Sequence, residues 1–395
     1  MQKRREFVLI MALTSAEPSA GKVLLTGKFV DGMRSYAERW DGQVHAILPP
    51  GRGVTGNLDD VVVARDELPF SVDILPLSSP ALRQRLLQAA VVMGQAHHEM
   101  ADLASFCAVH GVPYIFNCEY SLRTRLQITR MEAPNPLRRL RRSLWELNQE
   151  RLMRNTVRCA TGVQCNGHPT YEAYSPIARD SMLYFDNRIE PDMVAAREEV
   201  GKKQQRHESK RLTLVYSGRL NRMKGAHYLV PLAQALVERG VDFDLHVCGD
   251  GELQPLIAAQ IAAAGLHERV HLRGVLDFRS ELLPFVSTNA DLFVCCHPQG
   301  DPACTYMETF ACGVPIVGFA NEAFRGLQRE SGAGWVTPLG DVRAMADAIA
   351  AIARERGRLR EPALAALEFA GQHTFPREFD RRIEHLERCA RTGGR

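Results

Sequence analysis

The sequence predicts an α/β protein of two units, each a parallel sheet covered by helices. Three observations carry this. Strand-like apolar runs alternate with helix-length segments almost throughout. The alternation breaks at residues 197–211 (REEVGKKQQRHESKR), a charged stretch without an aromatic, and restarts directly after it. The 395 residues, 45% of them hydrophobic, suffice for two ordinary cores.

In order, the first half offers strands at residues 7–13, 43–48, 61–63, 86–93 and 113–116. The first run follows a basic stretch, so residues 1–13 also imitate a short signal peptide. A buried strand followed by a loop at 14–21 is the plainer reading of so short a run. Residues 137–154 (LRRLRRSLWELNQERLMR) predict a basic amphipathic helix, with Leu137, Leu140, Leu144 and Leu147 on one face and Trp145 near it. Such a helix either rests on anionic lipid or packs its leucines inward beneath a solvated arginine face. The expected division is an N-terminal Rossmann-like domain at 1–196, a solvated linker at 197–211, and a second Rossmann-like domain at 212–375. Within the last, strands fall at 212–216, 243–248, 270–272, 292–296 and 315–318, with a helix at 226–239. Residues 376–395 carry an Arg/Glu-rich helix that is free to return to the N-terminal domain.

Composition excludes several classes. A net charge of +3 does not suit a general nucleic-acid binder. The ten cysteines include no C-x-x-C pair, so they read as reduced core residues of a cytoplasmic protein. No run approaches the ~20 apolar residues of a membrane span. The first strand is not followed by G-x-G-x-x-G, which argues against a dinucleotide oxidoreductase.

Four segments of the second half carry chemistry. Ser217 to Gly225 (SGRLNRMKG) follows a strand and precedes a helix. Gly218 admits close backbone approach, and Arg219 and Lys224 bring two cations to a strand end. The set suits a diphosphate, and equally suits plain surface charge. Cys248 to Glu252 (CGDGE) is a tight turn at the next strand end, where α/β sheets place ligands, and Gly249 lies in it. Gly274, in HLRGV, is either a turn glycine or a surface for a base, with Val275 beside it. Gly300 to Val317 (GDPACTYMETFACGVPIV) places Glu308 near a helix start. There it either complements the helix dipole or chelates a ribose diol. The preceding backbone, Pro302, Ala303, Cys304 and Thr305, is poised to meet sugar hydroxyls or phosphate.

The order Ser-Gly-Arg-x4-Lys-Gly, Gly-x-Gly-Glu, Arg-Gly and Glu-x4-Gly-x-Pro-x-Val resembles the C-terminal domain of glycosyltransferase family 4, over roughly residues 212–350. That resemblance implies the GT-B fold: two Rossmann-like domains facing across a cleft, with residues 1–196 as the acceptor domain and 212–375 as the nucleotide-sugar donor domain. It further implies retaining, metal-independent transfer from a UDP- or GDP-sugar. Arg219 and Lys224 would hold the diphosphate, Glu308 the ribose, and Gly274 with Val275 the base. Two departures stand out. The family's second Glu, eight positions before Glu308, is here Gly300, with Asp301 the nearest acid. A His that family members carry in the N-terminal domain is replaced by Cys118-Glu119-Tyr120, leaving Glu119 to face the cleft, or His97 or His98 to act instead.

On the acceptor side, Lys28 and Arg34 in the loop expected at 27–34 are placed to meet an anionic acceptor or the diphosphate. A glycan or lipid-linked acceptor follows from the resemblance, as does a cytoplasmic enzyme, peripheral at the inner membrane face if the 137–154 helix meets lipid. Two rival readings share the donor motifs: a nucleotide-sugar hydrolase or epimerase, and a non-catalytic nucleotide-sugar-binding scaffold.

Overall fold

The computed structural model describes residues 6–51, 60–95, 98–133, 135–207 and 211–392. Nine strands fall in the first half: β1 (Phe7–Ile10), β2 (Lys22–Thr26), β3 (Val44–Leu48), β4 (Asp60–Ala64), β5 (Ser71–Ile74), β6 (Val91–Gln95), β7 (Tyr114–Cys118), β8 (Gly162–Asn166) and β9 (Ser181–Tyr184). Seven of them form a parallel sheet in the order β5-β3-β1-β6-β7-β8-β9, while β2 and β4 pair antiparallel as a separate ribbon. The second half contributes β10 (Leu212–Ser217), β11 (Phe243–Cys248), β12 (Val270–Gly274), β13 (Leu292–Cys295), β14 (Ile316–Phe319) and β15 (Gly334–Thr337). These make a parallel sheet in the order β12-β11-β10-β13-β14-β15.

The apolar run at the N-terminus is buried because β1 lies in mid-sheet, paired with β3 on one side and β6 on the other. Each sheet has a core on both faces, as expected where helices cover a parallel sheet. In both sheets the strand order reverses beside the first strand, between β1 and β6 and between β10 and β13. Such switch points open a crevice at the carboxyl ends of the strands, where ligands bind.

Several expectations are corrected. Residues 86–93 are not one strand: the helix Pro80–Gln88 ends there and β6 begins at Val91. The strand at 61–63 belongs to the ribbon, half exposed, rather than to the parallel sheet. The loop expected at 27–34 is the start of the helix Gly27–Arg39, which Thr26 caps by accepting from the Phe29 N–H at 3.2 Å. The stretch 197–211 is helical over Arg197–His207, because Val200 finds an apolar seat with Ala363 and Leu367. The chain has already crossed before it, since Phe185 and Ile189 pack in the second unit's core. The last helix, Phe375–Thr392, returns to the first sheet and buries Phe379, Ile383 and Leu386 against Phe7 and Tyr36.

The helix expected at 137–154 runs Pro136–Cys159 with its faces reversed. Leu137, Leu140, Leu144 and Leu147 are exposed, and Glu146 and Glu150 are buried. The reading that placed the leucines in the core is therefore overturned. The cause is Arg125, whose guanidinium donates to Glu146 at 2.9 Å and to Glu150 at 2.7 Å. Tyr174 also donates to Glu150, at 2.9 Å. Buried carboxylates are tolerated when paired and hydrogen-bonded in this way.

Candidate active site

The carboxyl ends of β10, β11 and β12 stand side by side and their loops touch. Gly249, after β11, has φ +136°. A Cβ there would lie 2.1 Å from the Gly218 carbonyl oxygen, so only glycine lets the two loops close on each other. The Gly249 N–H donates to the Gly274 carbonyl at 2.6 Å, which adds the end of β12 to the row. Val275, next along, is largely exposed and offers an apolar ledge beside Gly274.

The loop after β10 is held from beneath. Tyr216 is buried in the strand and its hydroxyl donates to the carbonyls of Arg219 and Lys224 at 3.1 and 3.2 Å. Asn221 accepts from the Lys224 N–H at 2.9 Å. The Lys224 ammonium reaches the loop after β13 and pairs with Asp301 there. Gln299, fully buried, fixes that second loop by accepting from the Asp301 N–H at 2.5 Å. His297 is buried close to Lys224. Burial, aided by that cation, holds its imidazole well below the usual histidine range and keeps it neutral.

Gly300 stands where the family motif expects an acid, and the structure gives a steric reason. A Cβ at this position would meet Thr124 Oγ1 at 2.9 Å and Glu322 at 3.2 Å. The helix Leu122–Glu132 comes from the first unit and packs too closely for a side chain. Its Gln127 accepts from the Gly300 N–H at 3.1 Å. The only carboxylate this loop can turn toward Lys224 is that of the next residue.

Glu308 lies in the first turn of the helix Thr305–Ala311 and is buried. Burial raises its carboxyl above the ordinary value, and Arg188 partly offsets this. Arg188 donates to Glu308 at 2.8 Å and lies 3.6 Å over the ring of Phe278. Sequence reasoning did not find Arg188, which follows β9 in a segment without a motif. The preceding backbone sits at the seam between the units: a Cβ on Gly167 would lie 2.7 Å from that of Pro302. Ala303 lines the same seam, with Asn166 and Asp186 opposite. The Cys304 thiol, 3.9 Å from Asp186, is pushed up to about 12 by burial and carries no nucleophilic thiolate at neutral pH.

Across the cleft, Glu119 follows β7. Burial, reinforced by Asp186, raises its carboxyl above the ordinary range. Asn166 donates to it at 2.9 Å and Tyr184 at 3.3 Å. Lys28, in the first turn of the Gly27–Arg39 helix, pairs with Asp186 at 2.8 Å, and that contact raises its ammonium above the usual lysine value. The Tyr120 hydroxyl, pushed up to about 12 by burial, feels Asp301, Glu119, Arg219 and Lys28 together, so residues from both units share one electrostatic space. Arg219 is exposed within it. Arg34 is not brought in: its partner is Asp31 of its own helix, at 3.6 Å. His98 begins the single turn His98–Met100, and its side chain, like the whole of His97, lies outside the described residues.

Residues 198–366 match the family model of glycosyl transferases group 1. Over that segment the chain is similar to the glycosyl transferases group 1. Alpha-D-kanosaminyltransferase of Streptomyces kanamyceticus is 27% identical over 136 residues, 34% of this chain and 35% of the relative. Phosphatidyl-myo-inositol mannosyltransferase of Mycobacterium leprae (strain TN) is 30% identical over 156 residues, 39% of this chain and 40% of the relative. These alignments thus cover between a third and two fifths of each relative's length. Among solved structures, Anabaena Alr3699/HepE in complex with UDP superposes with a TM-score of 0.67 at 15% identity, over 97% of this chain and 99% of that one. That likeness extends over both sheets, and the architecture is GT-B: two Rossmann-like domains facing across a cleft. The group 1 match covers the three strand-end loops, Asp301 and Glu308, but none of Lys28, Glu119 or Arg188.

Proposed function

We propose that this protein transfers a sugar from a nucleotide-diphosphate sugar to a glycan or lipid-linked acceptor. The observation that carries the reading is the convergence of Arg219, Lys224 and Glu308 at the β10/β13 switch point, opposite Lys28 and Glu119. Arg219 and Lys224 are cations with room to meet a diphosphate, and Lys224 exchanges its Asp301 partner for a phosphate oxygen. Fixed positive charge there stabilises the leaving diphosphate as its negative charge develops. Glu308 accepts from the ribose hydroxyls, while Gly274 and Val275 lie along the base. Asp301, freed from Lys224, and the backbone from Pro302 to Thr305 face the donor sugar. Glu119 sits where an acceptor hydroxyl enters, and its raised carboxyl suits exchange of a proton or hydrogen bond with that hydroxyl. Lys28 supplies positive charge on the acceptor side.

UDP-glucose and UDP are bound by relatives of this fold, as their structures are described, which supports a uridine nucleotide first and a guanosine nucleotide second. Retention of configuration and independence from metal follow from the family resemblance of the motifs. The test is a screen of UDP-, GDP- and ADP-sugars for thermal stabilisation, followed by transfer assays with glycan and lipid-linked acceptors. Stabilisation by one donor, with sugar appearing on an acceptor, is the expected result. Rapid release of free sugar or of an epimer without acceptor would favour a hydrolase or epimerase. Nucleotide binding with no turnover of any kind would make the chain a binding scaffold.

A further inference from the structure

The last helix, Phe375–Thr392, carries His385 and Cys389 one turn apart, so both side chains leave the same face. That face lies against the start of β8, and both residues are 1% exposed. The His385 Nε2 stands 3.7 Å from the Cys389 Sγ and 3.6 Å from Oδ1 of Asp180, the residue just before β9. The three ligand atoms all lie within 4.8 Å of one another. Glycine at the head of β8 makes this close approach possible, because a Cβ on Gly162 would fall 2.9 Å from the sulfur and 3.0 Å from Nε2. Arg388 holds the Asp180 carboxylate from outside, at 2.7 and 3.0 Å, and fixes the direction in which its oxygens point. The Gln164 amide nitrogen stands 3.4 Å from Nδ1, too far to hold the ring proton on Nε2.

We propose that Asp180, His385 and Cys389 bind a zinc ion that pins the last helix to the first sheet. A thiolate, an imidazole and a carboxylate together are the donor set of a borderline-soft divalent cation, whereas hard magnesium or calcium takes oxygen. Zinc bonds of about 2.0 Å to nitrogen and oxygen and about 2.3 Å to sulfur, at tetrahedral angles, set nitrogen about 3.5 Å from sulfur and about 3.3 Å from oxygen. The separations of 3.7 and 3.6 Å exceed these by a few tenths of an ångström, which small rotations of the three side chains close. Water takes the fourth position, and the ion enters beside Asp180, whose side chain is 31% exposed. On binding, the Cys389 S–H bond gives way to a sulfur–zinc bond and the proton passes to solvent. Asp180 Oδ1 has lone pairs for both zinc and Arg388, so Arg388 goes on holding that ligand in place. The C-terminal turn of the helix, where Cys389 lies, adds a partial negative charge that favours a cation. The site sits at the amino ends of β8 and β9, opposite the cleft, so it serves the fold rather than the transfer chemistry. A search for paired cysteines passes over it, because the third ligand comes from a distant part of the chain.

The inference goes beyond the transferase reading and does not depend on it, because every readout is metal binding or stability without donor or acceptor. The purified full chain, stripped with a chelator and dialysed, is titrated with zinc chloride in a calorimeter and with cobalt(II) in a spectrophotometer. The expected result is one zinc per chain, a melting temperature that rises with zinc, and a thiolate-to-cobalt charge-transfer band. Magnesium at the same concentration should give none of these. Cys389→Ser should lose the band, and Cys389→Ser and His385→Gln should each weaken zinc binding at least about tenfold. Asp180→Asn, at a partly exposed position, should weaken it by a similar factor and serves as the test where a buried variant fails to fold. Cys159→Ser, which removes an exposed cysteine, should change nothing. Absence of zinc binding, a band that survives Cys389→Ser, or wild-type affinity in folded Asp180→Asn would overturn the proposal. Loss of the band in Cys159→Ser would overturn it as well, by placing the bound metal elsewhere.

Discussion

Replacing Glu308 by glutamine takes one negative charge from the buried start of the Thr305–Ala311 helix and leaves the shape nearly intact. Two consequences follow from the structure, and they point in opposite directions. Nucleotide binding should weaken. A ribose diol donating to a carboxylate makes charge-assisted hydrogen bonds of about 1.5–3 kcal/mol each. Glutamine retains one carbonyl acceptor and offers a donor where a second acceptor is needed. The net loss is about 2–3 kcal/mol, or roughly 30- to 150-fold in affinity for the nucleotide. Stability should not fall. The folded carboxyl titrates above its unfolded value of 4.5, chiefly through burial, so the ionised group costs stability. That cost is absent below the unfolded value, grows as pH rises through the interval up to the folded value, and is constant above it. Loss of the Arg188 contact does little to offset this, because the Arg188 side chain is 57% exposed and rehydrates. Glu308→Gln should therefore melt no lower than wild type at neutral pH while binding UDP or GDP far more weakly. Calorimetric titration and a melting curve on the same sample read both quantities. Wild-type nucleotide affinity in the variant would refute the ribose assignment. Weak binding accompanied by a large loss of stability would refute the argument that this carboxylate is held at the expense of the fold.

Three further outcomes are expected. Lys224→Ala should lower kcat about 100-fold, equivalent to about 3 kcal/mol of barrier, with a smaller rise in KM, and steady-state kinetics on the preferred donor measure it. Because burial raises the Glu119 carboxyl above 4.5, activity that needs it ionised should climb along a limb displaced to higher pH than an ordinary glutamate gives; Glu119→Gln should abolish that limb in a kcat/KM profile, and an unchanged profile would exclude Glu119 from the reaction. Arg125→Met leaves Glu146 buried without its cation and Glu150 with only Arg154 at 3.6 Å, and should cost about 3–5 kcal/mol, seen as an early unfolding transition of the N-terminal domain in denaturant.

Where local pattern decides structure, the sequence was legible. The motif at Ser217 to Gly225 needs only a strand end, a glycine and two cations in order, and its loop forms after β10. Glu308 was legible because a helix start can be read from the residues around it. Residues whose role depends on distant partners were not. Arg188 and Asp186 carry no motif, and they matter only because the chain passes Glu308 and Lys28 on its way between the domains. The Pro136–Cys159 helix shows the same limit more sharply. Its leucine periodicity leaves two readings open, and the inward one fails because the deciding partner, Arg125, lies 21 and 25 residues from the two glutamates it draws inward. The 197–211 stretch read as solvated because its one useful apolar residue, Val200, packs against Ala363 and Leu367 far along the chain.

The charges of the cleft are paired with one another before any substrate is considered. Lys224 holds Asp301, Arg188 holds Glu308 and Lys28 holds Asp186. Each pair joins different segments, and two of the three join the second domain to the chain that follows β9 or keep that chain against the first domain. A pyrophosphate and a ribose entering this cleft bring two kinds of group, phosphate oxygens and hydroxyls, that match the cation of one pair and the carboxylate of another. On the proposed donor site, binding would proceed by exchange: phosphate for Asp301 on Lys224, ribose for Arg188 on Glu308. Exchange avoids leaving a desolvated charge without a partner, which a buried carboxylate such as Glu308 could not otherwise sustain. It would also free Asp301 toward the donor sugar when the donor is seated, with Arg188 keeping the place over Phe278 that it already holds. On this view the acid missing at Gly300 is replaced by one that becomes available only when the diphosphate has taken its lysine.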